Sequence, residues 1–202
     1  MSEYVKFTHA RASADIPAFT GLAALNTYRR KLLELQLIGV DSNGVSFGNL
    51  SIRDGATENF YVTGSATGAL PDLTLDDCAR VVAYNFEKNR VRYDGVAIPS
   101  SESLTHAAIY ESDANAGAVI HCHDSKVWLA LLNQAPTTSK SAKYGTPEMA
   151  FEILRLFANR DLHRRKVLVM SGHDAGIVTF GKDLEEAFAV LIGERRGIAY
   201  PR

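Results

Sequence analysis

His121-Cys122-His123 closes the apolar run Ala116-Gly117-Ala118-Val119-Ile120. A strand sends residues i and i+2 to one face, so both imidazoles can point at the same spot. Two neutral imidazoles at that spacing can bind one divalent metal, and a catalytic zinc takes three protein ligands and keeps an open position. Alone, an H-x-H is a short motif that an exposed strand end explains equally well. A third candidate ligand is His173, in Ser171-Gly172-His173-Asp174-Ala175-Gly176, although Gly-rich turns often carry a solvated histidine. His9 and His163 stand in polar surroundings and are assigned no role.

A second stretch that could do chemistry is Pro99-Ser100-Ser101-Glu102, with His106 four residues beyond Glu102. Unpaired N–H groups at a helix start attract anions, and two hydroxyls beside them make a phosphate cradle. Glu102 and His106 fall on one helical face. A serine N-cap followed by a first-turn glutamate accounts for the same residues without any function. Upstream, Ser46-Phe47-Gly48-Asn49-Leu50-Ser51 sets a glycine inside a strand pattern, where the backbone needs a close approach. Thr63-Gly64-Ser65-Ala66-Thr67-Gly68 reads as a loop offering amides and hydroxyls. It is neither a P-loop nor a G-x-S-x-G nucleophile elbow, and either segment also reads as a plain turn.

The elements that must position these residues follow from periodicity. Leu22, Leu25, Tyr28, Leu32, Leu33, Leu35 and Leu37 predict a helix over 21–38. Strands are expected over 45–53 and 59–63, and a hairpin over 81–87 and 90–94 turning at Lys88-Asn89. A helix over 101–112, the strand ending at His123 and a helix over 125–133 come next. Thr146-Pro147-Glu148 opens a helix reaching about residue 159. Strands over 166–170 and 176–180 flank a turn at Ser171-Gly172, and a last helix covers 184–196. Residues 1–19 are weakly patterned and are expected to form an arm or irregular lead-in. Hairpins mixed with helical connections predict an α/β layered fold around a largely antiparallel sheet. No G-x-G-x-x-G follows a strand, which argues against a dinucleotide fold.

The 202-residue chain fits one domain, 1–202, with ordinary globular composition: 46% apolar and 22% charged. A formal net charge of -1, with no basic block or stripe, gives no support to nucleic-acid binding or electrostatic membrane docking. Two distant cysteines, Cys78 and Cys122, read as reduced thiols of a cytoplasmic protein. The first residues lack an apolar signal region, and a purely apolar run of the length of Val127–Leu132, which none exceeds, is too short to span a bilayer. A soluble intracellular protein is expected.

The succession of Ser46/Gly48/Asn49/Ser51, Thr63/Ser65, Pro99–Glu102 with His106, His121/His123 and His173 resembles the class II aldolase/adducin family. The likeness covers about residues 21–198 and includes Tyr144-Gly145-Thr146-Pro147-Glu148, similar to the family's Y-x-x-G-T-x-E-L-A region. Each motif is unspecific; five in the family's order are not. The resemblance implies a three-layer α/β/α domain binding a divalent metal, usually zinc, through His121, His123 and His173. It implies that Glu102 is the catalytic carboxylate, able to ligate the metal in the resting site and to leave it when substrate arrives. Ser100 and Ser101, with Gly48, Asn49 and Ser65, would map to the pocket for the substrate's phosphate. The expected activity is a metal-dependent aldolase acting on a sugar phosphate or related hydroxy-ketone through a metal-stabilised enediolate. Family sites form between subunits of a cyclic tetramer, so the resemblance implies a homotetramer.

This chain also departs from the family pattern. Ala66 stands where the family's T-P-S-G loop has its last glycine, which tightens the phosphate pocket or marks a substrate without phosphate. The family's tyrosine that protonates the departing aldehyde has no clear counterpart; Tyr144 and Tyr200 are candidates that read equally as structural. Alternatives on the same scaffold are a pentulose-phosphate 4-epimerase, a dehydratase or a decarboxylase. A non-catalytic adducin-like interaction domain and a metal-storage or sensing protein are further readings.

Overall fold

In the computed structural model, which describes residues 6–198, the chain builds a mixed eight-stranded sheet with helices packed on it. The first half runs β1 (Thr8–Ser13), α1 (Leu22–Glu34), β2 (Gly39–Val40), β3 (Ser46–Phe47), β4 (Asn49–Arg53) and β5 (Phe60–Thr63). A 3-10 turn at Leu75–Asp77 leads to β6 (Cys78–Asn85), β7 (Arg90–Asp94), α2 (Ser103–Ser112) and β8 (Ala118–His123). Then come α3 (Ser125–Leu131), α4 (Pro147–Phe157), α5 (Arg160–Arg165), β9 (Val167–Val169), β10 (Gly176–Gly181) and α6 (Leu184–Gly197).

The sheet order is β1-β7-β6-β5-β4-β8-β10-β9, with β2 and β3 forming a separate small ribbon. β1 runs parallel to β7, and every other neighbouring pair in the large sheet is antiparallel. Alternate residues of β8 enter different cores, as the two-residue period requires. Val119 joins Leu104 and Ile109 of α2 and Met149 and Ile153 of α4. Ala118, Ile120 and Cys122 join Leu25 and Leu32 of α1, Val127 of α3 and Leu191 of α6. His121 and His123 share the face of Val119, so both lie on the side of α2.

Several elements differ from expectation for local reasons. α1 stops at Glu34 because Gln36 turns left-handed (φ +57°). The Leu37 amide then donates to the Leu32 carbonyl and that of Gln36 to Leu33, a Schellman end that buries Leu37 without a helix. The strand expected over 45–53 breaks at Gly48, whose φ is +76°. The hairpin turns over Phe86–Asn89, with Asn89 left-handed and its amide donating to the Phe86 carbonyl. α2 begins at Ser103, so Glu102 is its N-cap residue and not a first-turn acid. Residues expected to be an irregular lead-in contain β1, an exposed edge strand formed because β7 presents a free edge. The Leu75–Asp77 turn and α5 carried no strong periodic signal. No described helix is long and apolar enough to cross a membrane.

Candidate metal centre

His121 and His123 stand at the C-terminal end of β8, and β10 brings the third histidine to them. The antiparallel register pairs Gly176 with His123, so the turn between β9 and β10 lies over the strand end. Within that turn the His173 amide donates to the Met170 carbonyl, and the Gly176 amide donates to the His173 carbonyl. The ligand atoms of His121, His123 and His173 lie within 4.8 Å of one another. His123 Nε2 and His173 Nε2 are 3.0 Å apart. Two nitrogens bound tetrahedrally at about 2.0–2.1 Å from one zinc would stand roughly 3.3 Å apart, so this spacing suits a shared ion.

Protonation favours the same reading. His121 Nδ1 lies 3.1 Å from the Ile177 carbonyl, which can only accept, so Nδ1 carries the proton and Nε2 keeps its lone pair. Burial, then the neighbouring histidines His123 and His173, hold His121 well below the usual imidazole range. Burial lowers His123 to about 4. Burial, then repulsion from His123 and Lys6, lowers His173 to about 3. All three are therefore neutral near pH 7, the state a metal needs.

These imidazoles open onto a cavity of about 500 Å³. Glu102 lines it too, but among the described residues the tight ligand group comprises the three histidines alone. Glu102 is 3% exposed; its Oε2 accepts from Thr105 Oγ1 at 2.5 Å, while Oε1 has no partner among the described residues. Burial raises its pKa to about 7, against the opposing effects of the Thr105 hydrogen bond and the Lys6 charge. Asn49 Oδ1 is a second buried acceptor without a described partner on this wall.

Gly48, Asn49, Ser65, Ser100 and Ser101, distant in sequence, all reach the same cavity. The expected amide cradle is partly spent, however. The amides of Gly64, Ser65 and Ser100 donate to the carbonyls of Asp77, Ile98 and Thr63, which leaves hydroxyls as what Ser65 and Ser100 still offer. Among the described residues no Lys or Arg lines the cavity. Besides Lys6, whose charge acts on Glu102 and His173, a positive charge stands behind the wall: Arg29, 1% exposed, donates to the carbonyls of Leu70 (2.8 Å), Thr67 (2.5 Å) and Gly68 (3.3 Å). It clamps the loop in which Ala66 is held left-handed at φ +62°. Sequence reasoning missed Arg29, although its spacing with Leu25 and Leu32 places it on the buried stripe of α1.

Tyr144 also lines the cavity, its ring 4.3 Å from that of His173. Lys6 Nζ sits 3.2 Å over the Tyr144 ring, and Asn89 Nδ2 donates to the Lys6 carbonyl. Phe47 packs against His123 at 5.2 Å. Lys6 and Phe47 carried no signal in the sequence. Tyr200 lies outside the described residues. His106 is fully buried and does not line the cavity.

The chain resembles several solved structures at this architecture. L-fuculose 1-phosphate aldolase is 21% identical with a TM-score of 0.67, over 89% of this chain and 84% of that one. L-fuculose-1-phosphate aldolase from Thermus thermophilus is 22% identical with a TM-score of 0.53, over 90% and 97%. A sugar-phosphate aldolase from Thermotoga maritima is 16% identical with a TM-score of 0.60, over 86% and 90%. At these identities the likeness shows the fold. No curated protein matches the sequence significantly. Residues 39–193 match the Class II Aldolase and Adducin N-terminal domain, and with its motifs in the family's order the chain belongs to that family.

Proposed function

We propose that this protein is a metal-dependent carbon–carbon lyase acting on a sugar phosphate or related hydroxy-ketone. The observation that carries this reading is the meeting of three imidazoles with a buried carboxyl in one cavity. His121, His123 and His173 would hold a divalent metal, with zinc the best fit to three imidazoles and an open position. When bound, that ion would supply a Lewis acid for a carbonyl oxygen. Glu102, titrating near neutrality, is suited both to take and to return a proton, and we assign it the acid–base role. A place for Glu102 in the resting ligand set requires its carboxylate to move toward the three nitrogens.

The hydroxyls of Ser65, Ser100 and Ser101, with Gly48 and Asn49, would bind the anionic end of the substrate. Tyr144 stands where it could donate a proton to a leaving group. The two core clusters on opposite faces of the sheet support a three-layer α/β/α reading with a largely antiparallel sheet. We further propose a single domain over 1–202, a cytoplasmic setting and a homotetramer, as the family resemblance implies.

The test is incubation of metal-loaded protein with sugar phosphates. A released aldehyde, lost with chelator and restored with zinc, is expected. A rearranged, dehydrated or decarboxylated product would move the protein to an epimerase, dehydratase or decarboxylase reading. Tight metal binding with no turnover on any substrate would favour storage, sensing or an adducin-like interaction role.

A further inference from the structure

Beside the cavity lie three buried polar side chains that the proposed chemistry leaves unused: Ser51, His106 and Tyr110. Ser51 Oγ is 2.6 Å from His106 Nδ1 and 2.7 Å from the Tyr110 hydroxyl. Burial lowers His106 to about 3 and raises Tyr110 above its ordinary value, so the imidazole has one ring proton and the phenol keeps its own.

Ser51 has a single hydroxyl proton, and its direction sets the chain. If Ser51 donates to Tyr110, His106 Nδ1–H must donate to Ser51; the buried phenol proton and the Nε2 lone pair are then both stranded. If Tyr110 donates to Ser51 and Ser51 to Nδ1, only the Nε2–H remains unmatched. The second arrangement strands fewer buried groups, so the ring proton sits on Nε2.

That Nε2 has no partner among the described residues, and neither does Glu102 Oε1. The two residues are one helical turn apart: the His106 amide donates to the Glu102 carbonyl at 3.1 Å, which sets their side chains on one face of α2. A buried donor and a buried acceptor, each without a partner among the described residues, thus belong to side chains one helical turn apart.

We propose that His106 is a positioning residue for Glu102: its Nε2–H, oriented by Tyr110 and Ser51, receives Glu102 Oε1 when that carboxylate turns away from the cavity. Glu102 then has two defined seats, one toward the imidazole cluster and one against His106. The catalytic use of the second seat rests on the acid–base role proposed for Glu102; the hydrogen bond itself does not.

The experiment is NMR of the full chain in chelator, where no metal draws Glu102 toward the imidazole cluster, carrying 15N-labelled histidine, with His106 assigned through His106→Asn. His106 should be protonated at Nε2 and not at Nδ1. Glu102→Ala should shift its Nε2–H signal and speed its exchange with water, while Tyr110→Phe should mix the two ring tautomers. A His106 protonated at Nδ1, or an Nε2–H indifferent to Glu102→Ala, would overturn the proposal. A coupled Nε2–H in a protein inactive on every sugar phosphate would sustain this hydrogen bond while sinking the lyase reading. Aldehyde release from a protein lacking the coupling would do the reverse. Should Glu102→Ala fail to fold, Glu102→Gln serves, because its amide also alters the acceptor facing Nε2.

Discussion

Gly44 and Gly48 offer a controlled pair for measuring what the backbone beside the candidate metal centre tolerates. Their backbones are nearly alike, with φ +79° and +76°. Alanine at either position therefore loses about 1 kcal/mol once left-handed strain is offset by a stiffer unfolded chain. The surroundings differ. A Cβ on Gly44 would meet nothing within 4 Å. A Cβ on Gly48 would run into Ile38 Cγ2 and stand 2.8 Å from its Cβ and 3.1 Å from its Cα. Ile38 is buried with Leu50 and Ile120 and cannot swing into solvent. Overpacking of this kind costs about 1–3 kcal/mol, so Gly48→Ala should be less stable than Gly44→Ala by that amount. With a urea slope of about 2 kcal/mol/M, the unfolding midpoints should separate by roughly 0.5–1.5 M. The measurement is urea denaturation followed by far-UV circular dichroism in chelator, which removes any stabilisation from bound metal. Asn49, next in the chain, pairs in register with His121, so Gly48→Ala should also weaken zinc binding more than Gly44→Ala. Coincident midpoints for the two variants would refute the reasoning, because Ile38 would then not be acting as a wall.

His121→Ala and His173→Ala should each abolish stoichiometric zinc by elemental analysis, and full occupancy in either variant would remove that residue from the ligand set. Glu102→Gln should keep much of the metal but lose at least about 100-fold in turnover, the scale of a general acid–base contribution, read as aldehyde release. The same substitution has a stability signature in metal-free protein. Burial raises the folded pKa of Glu102 to about 7 from 4.5, so the native state binds the proton more tightly than the unfolded chain does. The contribution of Glu102 is fully present below pH 4.5 and is lost as pH rises through 7, by roughly 3 kcal/mol. Glu102→Gln should therefore exceed the parent in unfolding midpoint at pH 8 and converge with it toward pH 4.5; a pH-independent gap would contradict this. Arg29→Met strands carbonyls of the 64–70 loop and should cost at least about 2 kcal/mol. Faster limited proteolysis of that loop should accompany the loss, and an unchanged cleavage rate would show that Arg29 is no clamp.

Much of the site was legible because its parts are local. A two-residue period places His121 and His123 on one face wherever the strand lies. Gly48 inside a strand pattern marks a close backbone approach, and Ser65 and Ser100 mark hydroxyls at a loop and a helix start, whatever packs there. Where local pattern and packing disagree, the sequence misled. Leu35 and Leu37 continue a helical period, yet Leu37 is buried through a left-handed turn at Gln36. Thr8–Ser13 has little apolar pattern of its own and becomes a strand because β7 has an edge to fill.

The sequence by itself determined which residues could bind a metal, move a proton or cradle an anion, since those capacities belong to side-chain chemistry and short-range period. Only the tertiary structure decided which of them meet. The antiparallel register of β8 and β10 carries His173, fifty positions away, to within 3.0 Å of His123. Folding likewise sets Tyr144 against His173, Lys6 over Tyr144 and Arg29 beneath the 64–70 loop. It also leaves His106 Nε2 and Glu102 Oε1 buried without partners among the described residues. Long-range pairing and burial are properties of the whole packed chain, and no window of sequence contains them.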